Sequence, residues 1–466
     1  MTSTEALTDI IMIELRREVE TLVDSLALDQ DTLDVAEGKA REFAKACGAI
    51  AFNAHIQASL EAQDYGYVGP AVELPDDKGE AYFERYESRW VATHLGRFRI
   101  KRAYYWNPAQ GVGAIPLDDT WDLDEREPSP SLRRSIGMLG AEMPFRRGHR
   151  LLLQTALIDL PEKRLQESSE ALGEKLKESR QAATKEALPM LRDPDVGIPA
   201  VLPTAREGTL YVQMDGGRLN TTTESWREPK LATLYWGDDV VEVSKERRSI
   251  LNKEHVIVFG DADELAERLW EAACRWEWWK AKRVIVLGDG AEWIWNRAQE
   301  LFPEAIQILD LYHAMEHVWE VARQLYGGVG KQKDKGATRS TSKQTAKDRR
   351  TRQWARERIA ELKQGDISAI IGDLRLRRPK RAAARDSVEE LIGYLDKNRC
   401  RTSYAEYQAE GHTVGSGTVE SGIKNVVNQR MKGCGMRWAV DRAENMLNLR
   451  AAYLSEINPA SQVLAA

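Results

Sequence analysis

The feature that most constrains this 466-residue chain is the order of short apolar runs between Thr209 and Asp310. TLYVQMD reads as a strand ending in an acid, KLATLYW as a second strand and HVIVFG as a third. A helix is predicted over roughly Asp261 to Lys280. It is followed by a fourth strand in RVIVLGD, a helix in AEWIWNRAQELF and a fifth strand in AIQILD. The first three strands are close enough in sequence to pair as antiparallel neighbours. The later ones alternate with helices, as parallel crossovers require.

Three strands, helix, strand, helix, strand is the order of a ribonuclease H-like α/β fold. The flanking sequence divides around it. Residues 1–127 read as a mainly helical N-terminal region with a β-hairpin in WVATHLGRFRIKRAYYW. Residues 128–204 read as helical, starting behind the Pro128-Ser129-Pro130-Ser131 break, and FRRGHRLLLQTALI, DLP and EKRLQESSEALGEKL have the spacing of helix, tight turn, helix. A helix-turn-helix DNA reader has that pattern, and so does any helical hairpin. The first part of the catalytic core is expected over 205–313, a helical basic insertion over 314–410, and the rest of the core over 411–466, with a last helix running from near Thr418.

Two aspartates end strands of this core. Asp215 closes YVQMDGG and Asp289 closes VIVLGDG. If the strands are neighbours, both carboxylates fall at one sheet edge, and Gly216, Gly217 and Gly290 let the backbone turn away. Glu420, in GSGTVESGIKN, starts a helix that could cross that edge. Three hard oxygen donors suit Mg²⁺ or Mn²⁺. Two such ions per site, about 4 Å apart, support in-line phosphoryl transfer. The alternative is that Asp-Gly pairs merely mark turns after strands.

The net charge of −6 hides an asymmetry. From Arg323 to Arg385 there are 19 Lys or Arg against 6 Asp or Glu, so the rest of the chain is strongly acidic. That segment is expected to face phosphates, with Arg349, Arg350 and Arg352 as candidates, or else to be a solvated helical hairpin. Gly327 to Lys347 is Gly-, Lys- and Ser/Thr-rich and reads as a loop. Lys424, Arg430, Lys432 and Arg437 lie on or just after the Glu420 helix, placed to hold phosphates. Trp438 either stacks on an unpaired base or anchors the core. Four scattered cysteines form no CxxC pair, so neither a disulfide framework nor a zinc ribbon is expected. The N-terminus lacks a basic start before an apolar core, and no apolar run approaches the roughly 20 residues needed to span a bilayer. A cytoplasmic protein is expected.

MDGGRLNTTTESWREPKLATLYW, VIVLGDGAEWIWNRAQELFPEAIQILDLYHAMEHVW and VGSGTVESGIKNVVNQRMKGCGMRW together resemble the DDE transposases of bacterial insertion sequences. The likeness is closest to the ISKra group, related to the Mutator-like transposases. It implies a retroviral integrase-like core with an all-helical insertion, Asp215, Asp289 and Glu420 as the metal-binding triad, and double-stranded DNA as substrate. It also implies binding of terminal inverted repeats, cleavage at the transposon ends, strand transfer of 3′-hydroxyl ends into target DNA, a homodimer or larger assembly, and a bacterial, nucleoid-associated location. Asp310 and His313 match the Asp-x-x-His element of Mutator-like relatives and are expected as auxiliary groups, although a structural histidine is an equal reading. The chain departs from the pattern after the hairpin. WNPAQGVGAIPLDD carries none of the zinc-knuckle cysteines of relatives, so Trp90, Tyr104, Tyr105 and Trp106 are expected to hold the hairpin by packing. Two other functions stay open: a nuclease or resolvase of the same fold, and a domesticated non-catalytic DNA-binding protein.

Overall fold

The computed structural model describes residues 3–25, 32–124, 128–192, 206–244, 247–328 and 342–455. Residues 329–341, most of the low-complexity stretch, lie outside them. The chain divides into two compact units, Met1–Leu172 and Gly173–Asn458.

The first unit begins with α1 (Ser3–Ser25) and α2 (Leu33–Ala62). Thr32 caps α2 by accepting the Val35 amide on its side chain. A four-stranded antiparallel sheet follows in sequence order: β1 (Ala71–Glu73), β2 (Glu80–Thr93), β3 (Gly96–Asn107) and β4 (Val112–Ala114). The β2–β3 pair is the hairpin read from the sequence, and Gly96 takes φ +139° at its turn. Tyr105 is fully buried and its hydroxyl donates to Gly69 O at 2.9 Å. Tyr104 and Trp106 stack at 6.3 Å. Trp90 corrects the expectation. It is 52% exposed and meets the Arg97 guanidinium at 5.7 Å, so it contributes to a surface and not to the hairpin's core. Four helices follow, α3 (Pro116–Thr120), α4 (Pro130–Glu142), α5 (Phe145–Ala156) and α6 (Glu162–Arg192). Ser129 caps α4 and Leu157, at φ +53°, ends α5. The unit boundary falls inside α6, some thirty residues before the predicted domain boundary at 204/205. The physical reason is close packing: a Cβ at Gly173 would lie 2.0 Å from Asn445 O, and Ala187 O accepts the indole N–H of Trp270.

The second unit is built on a five-stranded sheet. Its strands are β5 (Arg206–Gly216), β8 (Lys230–Trp236), β11 (Glu254–Val258), β12 (Ala281–Gly288) and β13 (Ile306–Leu309). They lie in the order β11-β8-β5-β12-β13. β8 pairs antiparallel with both β11 and β5, while β5, β12 and β13 run parallel. α7 (Ala262–Arg275) and α8 (Glu292–Leu301) supply the crossovers. Two small pairs went unread in the sequence: β6 (Leu219–Asn220) with β7 (Trp226–Arg227), and β9 (Val240–Ser244) with β10 (Arg247–Ile250). β6 and β7 are two residues each, too short for a periodic signal, and β9 and β10, despite three valines in β9, form a half-buried to exposed pair outside the five-stranded sheet.

Between the last strand and Glu420 the named elements are helical: α9 (Leu311–Tyr326), α10 (Ser342–Gln364), α11 (Ile367–Leu376), α12 (Ala382–Lys397) and α13 (Tyr404–Ala409). The predicted last helix is broken. α14 (Gly417–Gly422) runs through a π-helical turn (Ile423–Asn428) into α15 (Gln429–Met431), and α16 (Val440–Leu454) starts anew after Gly435 at φ +72°. Among the described residues no helix is long and apolar enough to cross a membrane.

Side chains alternate across the strands, so Gln213 and Asp215 share a face with Leu231, Thr233 and His255. This face carries a buried polar seam. Thr233 Oγ1 and His255 Nδ1 lie 2.9 Å apart, and His255 is 3% exposed. Burial, then Lys253, lowers the His255 pKa to about 4 from 6.5. A depressed histidine pKa stabilises the fold above pH 6.5, and that contribution is lost as pH falls towards 4. Urea unfolding is expected to show roughly 1–2 kcal/mol less stability at pH 5 than at pH 7 from this group. His255→Gln should flatten that difference; an unchanged pH slope in the variant would remove His255 as its source.

Candidate active site

β5 and β12 pair with Leu287 opposite Gln213. Two residues further along each strand, Asp289 comes level with Asp215 at the carboxyl edge of the sheet. Asp215 Oδ1 accepts the Gly216 amide at 2.7 Å, and Asp289 Oδ1 accepts the Ala291 amide at 3.0 Å. Of the three glycines expected to turn the backbone, Gly290 does so through a positive φ of +105°. A Cβ there would also sit 2.6 Å from the Tyr394 ring. A Cβ at Gly216 would meet Glu228 Oε1 at 2.2 Å, a contact that the half-exposed Glu228 side chain can relieve by moving.

Glu420 lies in the first turn of α14 and is exposed. Its helix is docked on the face that carries Asp215. The Val419 amide donates to Gln213 Oε1 at 3.1 Å, and a Cβ on Gly422 would be 2.7 Å from Leu231 Cδ2. A π-helical turn displaces carbonyls from the regular ladder. Arg450, 1% exposed on α16, donates to the carbonyls of Asn425 and Val426 in that turn. Gln213 and Arg450 thus position the glutamate helix, and nothing local in the sequence marks either.

Asp310 is 5% exposed, with both carboxylate oxygens engaged. Oδ1 accepts the His313 amide at 2.9 Å and caps α9. Oδ2 accepts the Ser416 amide at 2.7 Å and the Ser416 hydroxyl. The expectation of Asp310 as an auxiliary group facing the site is therefore refined: it fastens the end of β13 to the loop that leads into Glu420. His313 is half-buried, with Nε2 3.2 Å from His317 Nε2. Tyr394 packs on His317 at 4.5 Å between ring centroids and donates its hydroxyl to Asp289 O at 2.8 Å. Burial, then His313, lowers the His317 pKa. Tyr394 was missed because it lies about 100 residues from Asp289, in an unremarkable helical stretch.

The charges at this edge are felt by Asp215. Burial raises its pKa to about 6, with Asp289 and Glu420 raising it further and the Gly216 amide and His313 opposing them. The three carboxylates are thus electrostatic neighbours with insufficient positive charge among them, and such a donor set fits a hard divalent cation in charge and chemistry. Among the described residues, no three His, Cys, Asp or Glu side chains are grouped so that they could hold a metal ion, Asp215, Asp289 and Glu420 included.

The candidate cations separate into exposed and buried ones, and those of α10 lie by the end of α9 remote from Asp310, where a Cβ on Gly328 would meet Lys347 and Asp348. Lys424, Lys432 and Arg437 are exposed, as are Arg349, Arg350 and Arg352 on α10. Partial burial and then the neighbouring Arg218 lower the Lys432 pKa, so Arg218, three residues past Asp215, joins this basic group unforeseen. Arg430 departs from expectation: it is 3% exposed, with its guanidinium 5.3 Å from the centre of the Trp438 ring. Trp438 is 7% exposed, its indole N–H donates to Met431 O at 3.1 Å, and its backbone pairs with 220–222. It is a core anchor and does not present a face for base stacking. On the outer side of Glu420 opens a cavity of about 1020 Å³, lined in part by Tyr312, Arg248, Lys253 and Asn425 but by neither Asp215 nor Asp289. Tyr312, 64% exposed, is an aromatic group that the sequence reading passed over.

No known protein-family model matches this chain, and no curated protein matches it.

Proposed function

We propose that the chain is a DDE-type DNA transposase with a ribonuclease H-like core. The observation that carries this reading is the convergence of Asp215 and Asp289 on adjacent parallel strand ends, with Glu420 docked on the same sheet face and both carboxylates raising the pKa of Asp215. Asp215, Asp289 and Glu420 would hold Mg²⁺ or Mn²⁺. Bound in pairs, such ions activate an attacking hydroxyl and stabilise the leaving oxygen of a phosphodiester. The protein's own part is to hold the three carboxylates, through Gln213, Arg450 and Asp310, and to offer exposed cations to the DNA backbone. The mixed strand order, with a helical segment of about a hundred residues before Glu420, supports the transposase reading over a compact nuclease. Action on two transposon ends calls for two sites, so a homodimer or larger assembly on terminal inverted repeats and target DNA goes with it.

The test is an oligonucleotide assay in Mg²⁺ with a labelled 3′-hydroxyl end. Joined product is expected from the wild type, and Asp289→Asn should bind the same DNA without cutting or joining it. Nicked product alone would replace the transposase by a nuclease or resolvase. A shifted band with no product would leave a non-catalytic DNA-binding protein. Undiminished joining by Asp289→Asn would remove the carboxylate site itself.

A further inference from the structure

The turn between α11 and α12 is not explained by the packing of the helices around it. Residues 374–385 (LRLRRPKRAAAR) hold six Arg or Lys and no acid. Leu376 is 84% exposed, whereas Leu374, two positions earlier, is fully buried. Arg375, Arg378, Lys380 and Arg381 are exposed around it. Like charges at this spacing repel one another, and an apolar side chain left in water gains nothing from folding. A partner that is both polyanionic and able to receive an apolar group offsets both costs.

The turn is also organised in advance. Arg377 donates to both oxygens of Asp373, at 2.8 and 2.9 Å, and to the Tyr326 hydroxyl. Its guanidinium lies 5.4 Å from the centre of the Trp354 ring. Pro379 restricts the backbone. Arg377, Arg378, Lys380, Arg381 and Lys347 share the lining of a cavity of about 620 Å³ with Leu376, and Asp373 is the one acid among its described lining residues. The cations therefore frame a concave seat with Leu376 beside it.

We infer that this turn is a contact that grips and distorts DNA: the cations hold backbone phosphates while Leu376 wedges into a base step. The inference rests on the chain acting on DNA, and it adds where a duplex is held and deformed. An anionic membrane would also attract the cations. One leucine inserts little apolar area, however, and a concave cationic seat suits a ridged phosphate backbone better than a flat bilayer.

The test uses the full-length protein in EDTA, so that no strand is cut. It is titrated with one fully paired duplex and one carrying a single mismatched step next to a 2-aminopurine. Leu376→Ser is expected to weaken binding of the mismatched duplex about tenfold and to abolish the aminopurine unstacking signal, with an unchanged salt slope. Arg378→Ser combined with Lys380→Ser should lower the slope of log affinity against log salt by about 2 on both duplexes. Melting curves should match the wild type for Leu376→Ser and Lys380→Ser, whose side chains are exposed. Arg378 also donates to the Arg375 and Arg377 carbonyls, so if the double variant melts early, Arg381→Ser with Lys380→Ser replaces it. If Leu376→Ser melts early, Leu376→Gln replaces it.

Wild-type affinity, slope and aminopurine signal in these variants would overturn the inference. So would Leu376-dependent binding to phosphatidylserine vesicles with no effect on DNA. Cleavage in Mg²⁺ is scored separately. Leu376-dependent binding without any cutting supports the turn and removes the proposed function. Cutting and joining by turn variants that bind like the wild type keeps the function and removes the turn. A wild type that binds neither duplex overturns both.

Discussion

Asp215→Asn should give a protein that melts a few degrees above the wild type at pH 7.5 and has lost cleavage and joining by on the order of a thousandfold. Both effects come from one carboxyl group. Its pKa is raised to about 6 from 3.8, first by burial and then by Asp289 and Glu420. A raised carboxyl pKa stabilises the fold below pH 3.8, and that contribution is lost as pH rises through 6. At pH 7.5 the ionised group therefore costs stability. The cost is roughly 1–2 kcal/mol once solvent screening of a partly exposed group is allowed for. Asparagine keeps the shape and removes the charge. Scanning calorimetry in EDTA gives the sign directly, and added Mg²⁺ should then raise the wild-type midpoint while leaving the variant where it was. A variant that melts below the wild type would contradict the crowding of negative charge at this edge. Equal shifts with Mg²⁺ in both proteins would contradict the assignment of the ion to Asp215.

Asp310→Ala should have the opposite effect on stability and a large effect on activity. The side chain is buried and accepts from the His313 amide, the Ser416 amide and the Ser416 hydroxyl. Its loss leaves those donors unsatisfied, at a cost of about 3 kcal/mol. The lost bonds also release the loop before α14, so the glutamate helix should no longer be held on the sheet face that carries Asp215. Asp310→Asn keeps an acceptor for the helix cap and should fall between the two. Denaturant titration measures the first effect, and cleavage rate at saturating Mg²⁺ measures the second. If Asp310→Ala loses stability but cleaves at the wild-type rate once folded, Asp310 does not position Glu420.

The five core strands were legible because they are short apolar runs bounded by acids and glycines. Leu210, Val212, Leu234 and Ile257, at 0% exposure, are the kind of residue that produces such a signal. The two aspartates were legible for the same reason, since each follows such a run directly. Glu420 was visible only through the pattern GSGTVESG. What holds it was invisible, because Gln213, Arg450 and Asp310 reach it across about 206, 30 and 110 residues of chain, and local periodicity carries no information over that distance. Trp438 illustrates a different limit. An indole beside cations reads equally well as a stacking platform or as a core residue, and only its 7% exposure and its bond to Met431 decide between them. The break between α15 and α16 was missed because the exposed residues around Gly433 and Gly435 carry little apolar pattern, and the β9–β10 pair because its short valine run adds no strand to the five-stranded sheet.

The separation of Glu420 from the aspartates has a consequence for how the protein comes into being. A chain leaving the ribosome completes β5 and β12, with Asp215 and Asp289, more than a hundred residues before Glu420, and later still Arg450, which clamps the π-helical turn. Folding that must close so long a loop is slow beside the formation of the intervening helices. During that interval the nascent protein already carries the basic helices but lacks the third carboxylate. For the proposed activity on DNA, the order of synthesis means that the cations that would attract DNA are in place before the third carboxylate that would complete the site.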